Sequence, residues 1–219
     1  MALDVSMALT TLATMKSELG ITDSASDTYL ERQINVVSQK IANYCNRNFK
    51  TQTYTLEKYE GNDELNFNLN NYPVTSVSYL KIDDTEIDID DVTVDEDAGI
   101  LYYESVFNSN GYVSGISSHR DLRTKNISVT YIAGYVLPDQ ATRNLPYDLE
   151  DICIEEIKYK YGNKNNKGKK ISSWSLDKAS KNFVDEAKIF DNTSGFLFES
   201  VAILDSVYKR YLIWAILEI

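Results

Sequence analysis

The sequence predicts an α+β fold: a helical bundle built from both chain ends, with a small antiparallel β domain inserted between them. Three observations predict it. Apolar residues recur at helical spacing near both ends, while the middle of the chain breaks into short β-rich runs separated by turn residues. Acidity is concentrated in that same middle segment. Of 33 acids and 22 bases, residues 1–50 carry 5 and 5, residues 51–145 carry 16 and 6, and residues 146–219 carry 12 and 11. Boundaries are expected near Lys50 and Leu137. They give an N-terminal helix pair over 1–50, an inserted β domain over 51–137, and C-terminal helices with an extended docking segment over 138–219 that pack with 1–50.

The first helix carries Leu9, Leu12, Met15 and Leu19 and stops at Gly20. The second is capped by Ser24 and Asp27, and Leu30, Ile34, Val37, Ile41 and Tyr44 form a stripe that needs a partner helix. Strands are expected at Val74–Ile82, Glu86–Val94, Ile100–Tyr103 and Ile127–Ile132, forming a small sheet or open barrel. Asn70-Asn71-Tyr72-Pro73, Asp97-Ala98-Gly99 and Ser109-Asn110-Gly111 break the runs. Helix returns after Leu145-Pro146. Asp148, Glu150 and Asp151 suit its positive end, Leu149, Ile152, Cys153, Ile157 and Tyr161 form its apolar face, and Gly162 is expected as a left-handed cap. Six lysines and no acid occupy 158–170, the signature of an exposed basic loop. A last helix is expected from Glu199 through Tyr211, with Val201, Leu204, Val207, Tyr208 and Tyr211 on one side.

Composition excludes several classes. A formal charge of -11 opposes broad binding to nucleic acid. Cys45 and Cys153 stand far apart and sit on apolar helix faces, which suggests neither a disulfide framework nor a thiolate metal site. The most apolar stretch, Tyr211 to Leu217, is too short to span a bilayer, and no basic-then-apolar leader opens the sequence, so no membrane partner and an intracellular site of synthesis are expected.

Acids at Asp84, Glu86, Asp88 and Asp90 invite a calcium reading. The sixth place from Asp84 is Ile89, where an EF-hand loop needs glycine, and Ile87 and Ile89 alternate with the acids as in a half-buried strand. His119 is the single histidine and lies among Ser117, Ser118 and Arg120 without a nucleophile turn or ligand spacing. With no glycine-rich phosphate loop and no convincing carboxylate pair, catalytic residues, metal ligands and cofactors are expected to be absent. The residues leave open a ligand- or protein-binding β module on a helical stalk, and a small hydrolase centred on His119.

The order of parts resembles the head-tail connectors of tailed phages, the head-completion adaptors that carry a β insertion between terminal helices. The resemblance rests on Ala8–Ile21 (ALTTLATMKSELGI), Ile41–Phe49 (IANYCNRNF), Tyr72–Leu80 (YPVTSVSYL), Thr93–Tyr102 (TVDEDAGILY), Ile127–Tyr135 (ISVTYIAGY), the helix after Leu145-Pro146-Tyr147-Asp148-Leu149, and Ile203–Arg210 (ILDSVYKR). It implies a structural virion protein at the head-tail interface, assembled in the bacterial cytoplasm. Such a protein forms a homo-oligomeric ring, twelve-fold, between the portal protein and a neck, stopper or tail-completion protein. Genome DNA would pass through its channel without specific binding. The partner-docking candidates are Lys164, Lys167, Lys169, Lys170, Trp174, Tyr208, Arg210, Tyr211 and Trp214, chosen for the basic loop and the aromatic C-terminal segment.

Overall fold

The computed structural model describes residues 2–62, 64–83, 85–104, 125–162, 173–176, 179–182 and 194–208. The chain divides into two compact units: Met1–Arg47 with Leu137–Ile219, and Asn48–Val136 between them.

The first unit is helical. Helix α1 (Leu12–Leu19) starts where the Thr11 hydroxyl accepts the Thr14 N–H at 3.1 Å, and ends at Gly20 in the left-handed conformation, φ 65°. Helix α2 (Asp27–Cys45) has Ser26 at its N-cap without a side-chain bond, so the expected caps act elsewhere. Asp23 accepts the Ala25 N–H ahead of the helix, and Asp27 pairs with Lys16 of α1 at 2.7 Å. Leu30, Ile34, Val37 and Ile41 are fully buried, as a stripe at spacings of four and three requires.

Helix α3 (Tyr147–Gly162) supplies Leu149, Ile152, Cys153, Ile154 and Ile157 to the same core. Ser38 of α2 joins three segments there: its hydroxyl accepts the Leu9 N–H at 3.0 Å and lies 3.8 Å from the Cys153 sulfur. Gly162 is the last helical residue rather than a left-handed cap. Helix α4 (Phe198–Ile203) continues into a π-helical turn, Leu204–Tyr208, a departure from the single regular helix expected. The wider turn buries Leu204 and Tyr208 and leaves Val207 exposed.

The second unit holds two antiparallel sheets. Strands β1 (Gln52–Tyr59), β3 (Val74–Ile82), β4 (Thr85–Ile87) and β7 (Ile127–Ala133) form one, ordered β1-β7-β3-β4. Strands β2 (Asn66–Asn68), β5 (Val92–Asp95) and β6 (Ile100–Tyr103) form the other, ordered β2-β6-β5. Strict alternation along β7 buries Ile127, Val129, Tyr131 and Ala133, and these join Phe67, Leu80, Val92 and Leu101 in one core drawn from both sheets.

The expected strand Glu86–Val94 is broken. Asp88 accepts the Asp90 N–H at 3.1 Å and starts a 3₁₀ turn over Ile89–Asp91, which separates β4 from β5. A further hairpin, β8 (Ser173–Leu176) and β9 (Ala179–Asn182), follows α3 in the chain.

Candidate functional site

In the helical unit, residues 194–208 form a strap fixed by side chains of α2 and α3. Lys40 of α2 donates to the Gly195 carbonyl at 2.7 Å, and its ammonium lies 3.9 Å from the Phe196 ring centre. Phe196 is buried and meets Tyr44 edge-on at 5.4 Å. Glu156 of α3 accepts the Leu197 N–H at 2.6 Å, at the point where α4 begins. The Tyr44 hydroxyl donates to Asp205 at 2.7 Å, and the Tyr208 hydroxyl donates to Asp148 at 2.5 Å.

The strap therefore runs from Glu156 back toward the start of α3, held at four points. Burial lowers the pKa of Lys40, with repulsion from Lys160 adding to it and Glu156 opposing; burial also lowers Lys160, again opposed by Glu156.

An open groove of about 470 Å³ lies along α1 and the first turns of α3. Thr14, Glu18, Arg143, Tyr147, Asp148, Glu150, Asp151 and Ile154 line it. Arg143 pairs with the buried Glu150 and sits 4.4 Å above the Tyr147 ring. Glu150 also accepts the Thr10 hydroxyl at 3.0 Å. Tyr147 is nonetheless 77% exposed, the most exposed large hydrophobic side chain among the described residues.

The β unit contributes a buried polar cluster. The Tyr59 and Tyr131 hydroxyls lie 2.9 Å apart, and Glu57 accepts from both, at 2.7 and 2.5 Å. Burial raises both phenol pKa values, followed by the Tyr131 charge for Tyr59 and by the Glu57 hydrogen bond for Tyr131. Such a network fixes register in the core and offers no open position to a ligand. The acids of 85–97 lie on exposed turns and strand faces. Among the described residues, no group of three or more His, Cys, Asp or Glu side chains could hold a metal ion, and no helix is long and apolar enough to cross a membrane.

Of the sequence-derived docking candidates, Lys164, Lys167, Lys169, Lys170, Arg210, Tyr211 and Trp214 lie outside the described residues, as does His119. Trp174 falls in β8, paired with Lys181 of β9. Tyr208 is 3% exposed with its hydroxyl on Asp148, so its ring anchors the strap and is not presented to a partner. Cys153 is buried, and burial pushes its thiol up to about 12, opposed chiefly by the Ser38 hydrogen bond. The anchors Lys40 and Glu156 escape a sequence reading, because their partners lie 155 and 41 residues away.

The sequence matches the head completion protein family over residues 8–182. Comparison with curated proteins gives no match. Among solved structures, a chain from the virion of a native gene transfer agent (GTA) particle aligns over 98% of this chain and 96% of that one, with a TM-score of 0.51 at 14% identity. A chain from the neck of an empty GTA particle, computed with C6 symmetry, aligns over the same shares with a TM-score of 0.50 at 13% identity. At these identities the likeness is one of fold. The family match spans the N-terminal helices, the β unit and α3, and on that ground this chain belongs to the head completion protein family, as a structural head-tail adaptor of a virion.

Proposed function

We propose that copies of this chain close into a twelve-fold ring between the portal protein and the next neck, stopper or tail-completion protein of a phage-like particle. The observation that carries the reading is the family match across residues 8–182. It is supported by the fold shared with a chain from the neck of a GTA particle computed with C6 symmetry, since a twelve-fold ring also obeys six-fold symmetry. A closed ring needs heterologous contacts, in which one patch of a subunit meets a different patch of the next.

Assembly takes place in the host cytoplasm. Lys164, Lys167, Lys169, Lys170 and Trp174, with Arg210, Tyr211 and Trp214 of the C-terminal segment, meet the portal. Genome DNA passes the ring without specific binding, because the net charge of -11 repels phosphates. The chain performs no catalysis, and His119→Ala leaves assembly and infectivity intact.

The test is co-sedimentation of the purified chain with its portal protein and, separately, with duplex DNA across a salt series. The expected result is a portal complex and no retained DNA at physiological salt. Tight duplex binding without portal binding would overturn the reading.

A further inference from the structure

We propose that the strap of residues 194–208 is exchanged in the assembled ring, so that the socket on α2 and α3 of one copy is filled by the strap of the next. The inference rests on the ring reading above. Within the subunit the strap is held as a docked peptide is held. Lys40 donates to the Gly195 carbonyl at 2.7 Å and Glu156 accepts the Leu197 N–H at 2.6 Å, so side chains bond the backbone on both sides of Phe196. The Phe196 ring is 1% exposed, set against Tyr44 and the Lys40 ammonium. The Tyr44 hydroxyl on Asp205 and the Tyr208 hydroxyl on Asp148 fix the remainder. These contacts require the sequence of the strap, not its origin in the same chain.

Covalent connection leaves both seatings open. Gly162 ends α3 six residues after Glu156, about 9 Å along the axis, and Glu156 meets Leu197 directly. A strap seated in its own subunit therefore has only a short gap to bridge. Thirty-one residues separate Gly162 from Ser194. Setting aside the hairpin of β8 and β9, residues 163–172 and 183–193 still have a contour of about 70 Å, enough to reach the socket of a neighbour.

The seat within the subunit is also imperfect. The second carboxylate oxygen of Glu156 is buried without a hydrogen-bond partner among the described residues, and burial disfavours the charged form of Lys40. Opening the strap returns its two polar anchors to water, which offsets part of what the opening gives up. Exchange then forfeits none of the strap's contacts, because an identical socket receives it, and it joins the two copies. Socket and strap are different patches of one subunit, as a closed ring requires: each copy turns its socket to one neighbour and its strap to the other.

Mixed assemblies separate the two seatings. Chains carrying Phe196→p-azidophenylalanine at natural isotope abundance are refolded and assembled together with unmodified chains labelled with heavy nitrogen, then irradiated. Peptides joining a light strap to a heavy α2 at Lys40 or Tyr44 report exchange, and in an equimolar mixture they should make up about half of all links between strap and α2. Links confined to light chains would overturn the proposal.

Complementation gives a second readout without a cross-linker. Phe196→Ala damages the strap and leaves the socket, while Tyr44→Ala damages the socket and leaves the strap; circular dichroism checks that each keeps its helices. Neither variant alone holds an intact pair. Mixed, exchange unites an intact strap with an intact socket at about one joint in four, so amide hydrogen exchange over 197–208 should show a slow population of that size. A mixture that exchanges like its two components measured separately would overturn the proposal. Sedimentation of the same samples keeps the two readings apart: rings with links only within chains overturn the exchange and leave the ring, whereas a chain that stays monomeric removes the ring reading and the exchange with it.

Discussion

Gly134 is held at φ 114°, and a Cβ there would lie 2.5 Å from the Lys50 carbonyl oxygen, against backbone that cannot swing away. Gly134→Ala should therefore lower stability by about 2 kcal/mol or more, read as a fall in melting temperature. Cys153 makes a pH-dependent contribution. Its thiol pKa rises from 9.0 to about 12 on folding, so the neutral form is favoured and the stabilisation is complete below pH 9. Ionising the buried thiol opposes folding, so stability falls as pH climbs from 9 toward 12. Tyr59 and Tyr131 act in the same direction above pH 10, since burial raises both phenols. Denaturant melts across pH 8–11 should show falling stability, with Cys153→Ser shallower in slope; a flat profile would contradict the assignment. At this scale the sequence says which side chains are apolar. It does not say that Glu57 finds two tyrosine hydroxyls, because Glu57 and Tyr131 are 74 residues apart.

Helix α3 is the element on which the helical unit turns. Ile157 is fully buried, and an unpaired carboxylate there costs several kcal/mol, on the order of a domain's whole stability. Ile157→Asp should abolish the cooperative helical melt, followed at 222 nm. The strap depends on Phe196 and Glu156. Phe196→Ala removes a buried ring and should cost about 3 kcal/mol, while Glu156→Ala should expose the strap to proteolysis before the bundle unfolds. Elements were legible where period and punctuation agreed. Val74–Ile82 and Ile100–Tyr103 read directly as strands because apolar runs end at turn residues, and α2 read as a helix from its stripe. Strands β1 and β2 were not, because each is a sheet edge with few buried side chains and little apolar alternation. The acidic run misled for a specific reason. Alternating Ile and Asp imitates a strand, but the Asp88 side chain competes for backbone N–H groups and turns the chain. The π-helical turn has no period of its own, so regular helical spacing puts Val207 on the buried side while the turn leaves it exposed.

For the whole molecule, the charge partition between segments and the order helix, sheet, helix were readable from composition and pattern, and the family match follows that order. The docking surface was less legible. A lysine run announces itself, but an anchor such as Tyr208 looks like any exposed aromatic until its partner Asp148 is seen. Replacing Lys164, Lys167, Lys169 and Lys170 with Gln should weaken portal association and flatten its salt dependence without changing the melt, since exposed charges act over about 8–10 Å before screening. Unchanged titrations would make that run a solvated linker. The central claim is that this chain closes a ring on the portal, and negative-stain imaging of the purified chain with and without portal protein tests it most directly. The account predicts twelve-fold rings seated coaxially on the portal; a chain that stays monomeric at every concentration and leaves portal particles undecorated would contradict it.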